Sequence, residues 1–282
     1  MKKHLLLIAL IPLLAACGNT DKDGKQSKKL PDVEKFVLGL GGENVPVGQY
    51  SSQILTHFNI NETKLSKNGH VSYGANVGEV ANHVKQSMVS AGMIYKTDAF
   101  TYKLKVVDHA TSEMCDQVIY PVAVMNASTK KVAAKAFLSY LRTQAAMNRF
   151  EGVGFTGMNK LNSAIDYTGG NVTLNVFAAT SMTASLNEVI EDYKTVEPNI
   201  TIIANYGSSG ALQTQIEESA NCDIFISAAQ KQMNALQTGG FVDTETRVNF
   251  LENQVVLSVP DKNPYQLTNF KSLVKILDQI DN

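Results

Sequence analysis

The sequence has almost no net charge and few arginines. Its formal net charge is -1 over 282 residues, so it offers no basic field of the kind that nucleic-acid binding requires. Three arginines occur, Arg142, Arg149 and Arg247, which leaves few side chains that can hold an anion through two parallel hydrogen bonds. A bound anion would therefore have to be met by local donors of other kinds.

Cysteine is scarce, and the five histidines are scattered. The histidines show no paired spacing with carboxylates or cysteines, so we expect no metal-ligating residues. Of the three cysteines, Cys115 and Cys222 could form one disulfide in an exported protein, which their spacing alone leaves open. Cys222 begins an apolar stretch and is predicted to be a small buried residue.

Long apolar runs are missing except near the first residue. Residues 5–14 form a run that is shorter than the roughly 20 apolar residues of a membrane span. Two lysines precede this run and Leu14-Ala-Ala-Cys17-Gly18 ends it, which is the pattern of an export signal with a lipobox. We predict that residues 1–16 are a signal peptide and that residues 17–30 are a flexible tether. Cys17 would be lipidated, on the outer face of the cell membrane of a Gram-positive bacterium.

Apolar strand-like runs alternate with segments of helical period along the rest of the chain. This alternation is typical of the α/β class and of parallel sheets built from βαβ units. The predicted strands cover residues 36–40, 71–73, 92–95, 104–107, 118–124, 172–177, 200–205, 223–227 and 254–259. The clearest predicted helices cover residues 47–58, 77–89, 130–149, 182–194, 211–218, 230–237 and 270–280. Residues 156–170 interrupt the rhythm with glycines and polar residues, which indicates a surface connection.

Two strands run into a serine at the start of a predicted helix, and these serines are Ser181 and Ser209. A helix start offers free N–H groups and the positive end of the helix dipole, so each stretch is a candidate anion site. Each serine alone could be an ordinary helix cap. Together they favour a small, negatively charged ligand. Residues 41–48 and 73–77 also lead from strand to helix, with Asn76 as a cap, and Tyr95 ends a strand. In open α/β sheets, ligands bind beyond such strand ends.

Several of these motifs resemble the molybdate-binding proteins of ABC importers. The segments that resemble the amino-terminal lobe of that family are VFAATSMTASL (176–186), NYGSSGALQTQIE (205–217) and DIFISA (223–228). The segments that resemble its later part are ENVPVGQY (43–50), GMIYKTDA (92–99) and YPVAV (120–124). The order of the two parts is inverted, and residues 255–277 resemble what should immediately precede Phe36.

The chain is thus similar to a circular permutant, in which residues 156–170 would join the original ends. A fragment of a tandem fusion and a chain that exchanges lobes with a second copy stay open as alternatives. The resemblance implies a two-lobed periplasmic-binding-protein fold of type II, with the ligand cleft between the lobes. One lobe would comprise residues 117–253, and the other residues 31–116 together with residues 254–282.

The resemblance also implies the ligand contacts. Ser181 and Ser209 would donate from hydroxyl and backbone N–H, Val47 and Val77 from the backbone N–H alone, and Tyr95 from its phenol. No cofactor is implied, and the ligand would be molybdate or tungstate. Catalysis is not expected, because neither serine lies in a Gly-x-Ser-x-Gly motif and no histidine lies in a segment that lines the cleft.

The implied function is that of a monomeric, lipid-anchored solute-binding protein that delivers its anion to the permease and ATPase of an ABC importer, without a role for nucleic acid. One alternative is binding of another tetrahedral oxyanion such as sulfate. A second is a lipid-anchored sensor or adhesin that keeps the fold without transport.

Overall fold

The computed structural model describes residues 32–281. The predicted signal peptide, Cys17 and the predicted tether lie outside these residues. Within them, no helix has both the length and the apolar character that a bilayer crossing requires. Two separate sheets, each flanked by helices, divide the described chain into two lobes.

The first sheet has five strands in the order β2-β1-β3-β11-β4. These strands are β1 (Leu38–Gly41), β2 (Val71–Gly74), β3 (Ala91–Tyr95), β4 (Lys105–His109) and β11 (Val255–Val259). Its helices are α1 (Pro46–His57), α2 (Glu62–Lys67), α3 (Val77–Lys85), α4 (Lys96–Tyr102) and α10 (Phe270–Asp281). Because this lobe is built from both ends of the described chain, we call it the split lobe: residues 32–109 and 255–281.

The second sheet has six strands in the order β6-β10-β5-β9-β7-β8. These strands are β5 (Val118–Val124), β6 (Thr156–Gly157), β7 (Val172–Ala179), β8 (Ile200–Gly207), β9 (Ile224–Ile226) and β10 (Val248–Asn253). Its helices are α5 (Lys131–Leu141), α6 (Gln144–Gly152), α7 (Thr183–Val196), α8 (Ser209–Glu217) and α9 (Gln230–Thr238). We call this the continuous lobe: residues 118–253.

The chain crosses between the lobes twice, through residues 110–117 and through Gln254. Gln254 fastens the two crossings together, because its side-chain amide donates to the carbonyl oxygen of Ala110 at 2.9 Å. The backbone carbonyl oxygen of Gln254 accepts the N–H of Lys96 at 2.8 Å. Aromatic side chains also bridge the lobes, since the rings of Tyr95 and Tyr120 meet edge to face with centroids 6.0 Å apart.

Both sheets are mixed rather than parallel, which corrects the sequence prediction. β7 pairs in parallel with β8 and β9, and β1 with β2 and β3. β10 is antiparallel to β5, and β11 is antiparallel to β3 and β4. One crossing leaves the split lobe and the other returns to it, so the two strands at each end of the crossings run in opposite directions, β4 against β11 and β5 against β10. The strands that carry the crossings therefore run against their neighbours.

The helix predicted over residues 130–149 is two helices, α5 and α6. The hydroxyl oxygen of Thr143 accepts the N–H of Ala146 as the N-cap of α6, and the hydroxyl donates to the carbonyl oxygen of Tyr140 at 2.8 Å. Apolar residues keep a helical period across this break, so periodicity could not reveal it. The sequence analysis also missed the short elements α2, α4, β6 and β10. β6 lies inside the predicted connection, where it pairs with β10.

The thiols of Cys115 and Cys222 are both free, so these two residues do not form a disulfide. Cys222 is buried, as predicted, in a cluster of apolar side chains that includes Leu212 of α8 and Met233 of α9.

Candidate functional site

A small cavity lies between the two lobes, where the starts of four helical segments converge. Helices α1 and α3 come from the split lobe, and α8 and a short 3-10 helix (Thr180–Met182) come from the continuous lobe. The space open to the centre of a water-sized sphere is only about 10 Å³, which is close to the room that one such sphere needs. The lining residues are Val45, Pro46, Val47, Asn76, Val77, Tyr95, Ala179, Thr180, Ser181, Gly207, Ser208, Ser209 and Ala228.

All five residues that the sequence singled out line this one cavity. Val47, Val77 and Tyr95 belong to the split lobe, and Ser181 and Ser209 belong to the continuous lobe. Residues up to 162 positions apart in the chain are thus brought together between the lobes. That these residues contact a ligand stays a prediction.

Ser209 is not a helix cap. The N-cap of α8 is Ser208, whose side-chain oxygen accepts the N–H of Ala211. Ser209 is fully buried, and its hydroxyl oxygen accepts the N–H of Ala228 at 2.9 Å. Because this bond uses the oxygen as an acceptor, the hydroxyl proton of Ser209 remains available to another group.

Ser181 is not a helix cap either. It lies in the middle of the 3-10 helix, and α7 starts two residues later, at Thr183, without a side-chain cap. Its hydroxyl oxygen is 2.8 Å from the phenol oxygen of Tyr120. The capping alternative therefore explains neither of the two serines.

Val47 and Val77 place backbone N–H groups at the cavity. Val47 follows Pro46 at the start of α1, where proline fits because no hydrogen bond is lost. Val77 is the first residue of α3, and the N-cap Asn76 accepts the N–H of Glu79 at 3.0 Å, as predicted. The N–H groups of the first helical residues have no partner within their helix. Both valine side chains are buried, so the backbone is the polar part of each residue at this site.

Tyr95 contributes a buried phenol that has no partner. Its hydroxyl makes no hydrogen bond within the described part of the chain, and the residue is 1 % exposed. Burial, with a smaller contribution from Tyr120, raises the pKa of the phenol well above its usual range, so it keeps its proton. An unpaired buried donor is costly. A ligand in the cavity that accepts a hydrogen bond would remove this cost.

The cavity is rich in donors and uncharged. None of its lining residues carries a charged side chain, whereas the helix starts supply N–H groups and partial positive charge. Among residues 32–281, no group of histidine, cysteine, aspartate and glutamate side chains could hold a metal ion. The arrangement suits a small anion that accepts hydrogen bonds from all sides.

The lobes meet closely beside the cavity. A Cβ atom added at Gly210 would overlap the carbonyl oxygen of Asn44 from the opposite lobe and would lie 3.0 Å from its Cβ. A Cβ atom at Gly78 would lie 3.5 Å from a methyl group of Thr180, again across the cleft. The lobes are therefore closed, and Gly210 allows the start of α8 to approach the backbone of Asn44.

A larger cavity of about 410 Å³ lies at the two crossings between lobes. It is lined by side chains of both charge signs, including Lys96, Asp116 and Glu252. None of the five predicted site residues lines it, and its mixed charges do not favour an anion.

A buried carboxyl group, Asp98, lies in α4 near the phenols. Burial raises its pKa from 3.8 to about 8, against the opposing effect of hydrogen bonds from its backbone and from Thr97. The titratable groups that interact with it are the phenols of Tyr95, Tyr102 and Tyr120. Asp98 is thus mostly protonated at neutral pH, which keeps a negative charge away from the cavity.

We expect the free energy of unfolding to fall as pH rises from about 4 to about 8. Over this range the folded protein holds the Asp98 proton that the unfolded chain has lost, so each rise in pH favours unfolding. Asp98→Asn stays neutral and should remove this contribution. Urea unfolding of wild type and Asp98→Asn at pH 5 and pH 8 gives the pH dependence of each protein's free energy of unfolding. The difference between these two pH dependences is the contribution of Asp98. Parallel slopes would show that Asp98 does not titrate as described.

Some cavity residues were not singled out from the sequence. Thr180, Ser208 and Ala228 line the cavity but lie within motifs that the sequence analysis used only for family resemblance. Tyr120 and Asn253 do not line the cavity, but Tyr120 forms a hydrogen bond with Ser181, which does. The amide nitrogen of Asn253 is 3.2 Å from the phenol oxygen of Tyr120. Their position at the crossing strands was the one signal that could have identified them.

The family model for bacterial extracellular solute-binding proteins matches residues 14–156 and 174–277. The chain therefore belongs to this family. A phosphate-binding protein of a phosphate ABC transporter from Streptococcus pneumoniae has the same fold. It is 13 % identical, with a TM-score of 0.51, over 87 % of this chain and 96 % of that one. The predicted two-lobed α/β fold is confirmed. Family and fold are those of solute-binding proteins, which are not enzymes.

Curated relatives match parts of the chain. The "Putative ABC transporter substrate-binding lipoprotein YvgL" of Bacillus subtilis is 33 % identical over 51 % of this chain and 54 % of its own length. The molybdate-binding protein ModA of Haemophilus influenzae is 38 % identical over 32 % of this chain and 35 % of its own. ModA of Escherichia coli is 33 % identical over 40 % of this chain and 42 % of its own. The chain thus spans about a third to a half of the length of these relatives.

Proposed function

We propose that this protein captures molybdate, or the nearly equal-sized tungstate, outside the cell and delivers it to the permease and ATPase of an ABC importer. Lipidation of Cys17 would hold it at the membrane, and it would act as a monomer without a cofactor. The observation that carries the proposal is the cavity itself. Its donors come from two lobes and line one small space, which the lobes would have to widen slightly to admit a tetrahedral ion larger than a water molecule.

The chemistry of the cavity supports a fully ionised oxyanion. Such an ion accepts hydrogen bonds at every oxygen, and charge-assisted bonds of roughly 1.5–3 kcal/mol each can replace its hydration without lysine or arginine. The unpaired phenol of Tyr95 is one donor that such an ion would satisfy. Organic solutes are disfavoured, because drug-sized ligands fill cavities of about 300–1,000 Å³. The molybdate-binding relatives favour molybdate among the oxyanions.

Closure follows from the division of donors between lobes. Tyr95 and the N–H groups of Val47 and Val77 lie in one lobe, and the two serines lie in the other. Both sets can bond at once only when the lobes are closed on the ion, so binding favours the closed state. A permease could read that closed shape as the signal that the anion is present.

An anion panel tests the proposed function. We expect molybdate and tungstate to raise the melting temperature by similar amounts, sulfate to raise it much less and phosphate least, because a ligand that binds only the folded state stabilises it. Calorimetric titration supplies the affinities. Phosphate or sulfate ahead of molybdate would overturn the choice of ligand. A response to none of the four anions would overturn oxyanion binding itself.

We also propose that the chain is a circular permutant of its family. The family match falls in two segments, separated by residues 157–173. At the other side of the fold, the start of the described chain packs against its end, because the phenol of Tyr265 donates to the carbonyl oxygen of Asp32 at 3.1 Å. The short helix Val33–Lys35 also contacts α10.

Restoring the family order tests the permutation. A variant that starts at Asn171 and joins Asn282 to Pro31 should fold and bind the same anions, because permutation is tolerated where chain ends are close and exposed. Sedimentation of the original protein should show a monomer. Failure of the rearranged chain to fold, or an obligatory dimer at every concentration, would count against the proposed order.

A further inference from the structure

A buried chain of hydrogen bonds runs from the crossing between lobes to the cavity. The N–H of Gln254 donates to the side-chain oxygen of Asn253 at 2.9 Å. The amide nitrogen of Asn253 donates to the hydroxyl of Thr97 at 2.9 Å and to the phenol oxygen of Tyr120 at 3.2 Å. The phenol oxygen lies 2.8 Å from the hydroxyl oxygen of Ser181. Each link joins groups that are buried or partly buried.

The direction of this chain is fixed at its first link. The backbone N–H of Gln254 can only donate, so the atom of Asn253 that faces it must be the oxygen. The nitrogen of the same amide then faces Thr97 and Tyr120, and it can only donate to them. The phenol oxygen of Tyr120 is therefore already an acceptor.

The phenol hydroxyl of Tyr120 must be the donor in its hydrogen bond with Ser181. Tyr120 is fully buried, and its hydrogen-bond partners are Asn253 and Ser181. If Ser181 donated to Tyr120, the phenol proton would be buried without an acceptor, which is costly. Tyr120 thus donates to the hydroxyl oxygen of Ser181. That bond leaves the hydroxyl proton of Ser181 to point elsewhere, and Ser181 lines the cavity.

Ser209 is also left as a donor, because its hydroxyl oxygen already accepts the N–H of Ala228. We propose that Tyr120 and Asn253 are positioning residues that hold Ser181 as a donor toward the ligand and so make the site favour oxyanions without a proton. This inference rests on the proposed function, because it concerns the selectivity of the same cavity.

A comparison of sulfate with phosphate shows how the orientation of Ser181 affects anion selectivity. Sulfate and phosphate are tetrahedral ions of similar size, but phosphate carries one or two protons near neutral pH, and each of these protons needs an acceptor. A serine hydroxyl that is free to turn could supply that acceptor. A serine that already accepts from Tyr120 is poorly placed to do so, because its remaining polar group is a proton.

Tyr120→Phe tests the inference with a size-matched pair of anions. In wild type we expect sulfate to bind more tightly than phosphate at pH 8. In Tyr120→Phe the hydroxyl of Ser181 is free to turn, and the ratio of the phosphate dissociation constant to the sulfate dissociation constant should fall about tenfold, the equivalent of one hydrogen bond. Tyr193→Phe is the matched control. Tyr193 is buried between Phe137 and Tyr140, away from the cavity, and the ratio should stay at the wild-type value.

Two further variants separate a positioning role from a structural one. Ser181→Ala removes the group through which Tyr120 acts, so adding Tyr120→Phe to it should leave the phosphate-to-sulfate ratio of dissociation constants unchanged. Asn253→Ala removes the donor to Tyr120 and should lower the ratio by a smaller factor. This second variant carries the test if Tyr120→Phe does not fold.

The outcomes are distinct for the two proposals. Equal weakening of sulfate and phosphate in Tyr120→Phe would show a structural role and overturn the inference, with molybdate binding by the wild type unaffected. A wild-type protein that binds none of these anions would instead overturn the proposed function. A lower ratio in Tyr120→Phe alone, with the Tyr193→Phe ratio unchanged, supports the inference.

Discussion

Ser209→Ala should weaken molybdate binding by about tenfold to one hundredfold, which corresponds to one charge-assisted hydrogen bond of roughly 1.5–3 kcal/mol. The substitution removes the hydroxyl proton that is free to reach the ligand. It also removes the acceptor of the Ala228 N–H, which is buried beside it. The variant should therefore be less stable as well as weaker in binding. Calorimetric titration gives the affinity, and urea unfolding gives the stability.

Ser208→Ala is the matched control one residue earlier. Ser208 caps α8 by accepting the N–H of Ala211, so its loss should cost about 0.5–2 kcal/mol of stability. The hydroxyl proton of Ser209 is untouched, so molybdate affinity should fall by a smaller factor than in Ser209→Ala, although Ser208 also lines the cavity. The two variants thus separate binding from stability within one helix start. Equal loss of affinity in both would mean that the integrity of α8, rather than a ligand contact by Ser209, controls binding.

Gly210→Ala should weaken molybdate binding by at least about one hundredfold, because it keeps the lobes apart. The added Cβ would overlap the backbone carbonyl oxygen of Asn44 in the closed protein. An ion bound to the open form would lose the donors of the split lobe, which are Tyr95 and the N–H groups of Val47 and Val77. Losing even two charge-assisted bonds accounts for this factor.

Small-angle scattering with saturating molybdate measures closure directly. Wild type should become more compact on binding, and Gly210→Ala should stay open. Asn44→Ala should not rescue the variant, because the nearest obstacle is a backbone atom. Gly170→Ala is the control, since an added Cβ there meets no heavy atom within 4 Å. Normal closure and affinity in Gly210→Ala would show that this contact does not limit the closed state.

Much of the fold could be predicted from local pattern. The strand at Val118–Val124 agrees with the structure residue for residue, because an unbroken apolar run predicts a buried strand. Short elements such as β6 and α2 were missed, since too few residues carry a periodic signal there. The break between α5 and α6 depends on one threonine hydroxyl that bonds in both directions. Periodicity does not detect such a cap.

The candidate site, like the fold, could be predicted only in part from local pattern. A serine after an apolar strand indicates a helix start, and this signal identified Ser181 and Ser209. Local pattern could not tell which of the adjacent serines, Ser208 and Ser209, is the cap. That depends on Ala228, which lies 19 positions further along the chain and donates to Ser209. The roles of Tyr120 and Asn253 were hidden for the same reason, because their partners come from both lobes.

The sequence by itself determined the class of elements, their order, the scarcity of charged anion-binding groups and the resemblance that identified five residues for one site. These properties reside in local patterns of apolar and polar side chains, which the chain carries in any conformation. The tertiary structure alone decided which hydroxyl accepts and which donates, and how closely Gly210 approaches Asn44. Hydrogen-bond direction and lobe closure depend on atoms that are distant in sequence, and only packing brings them within bonding distance.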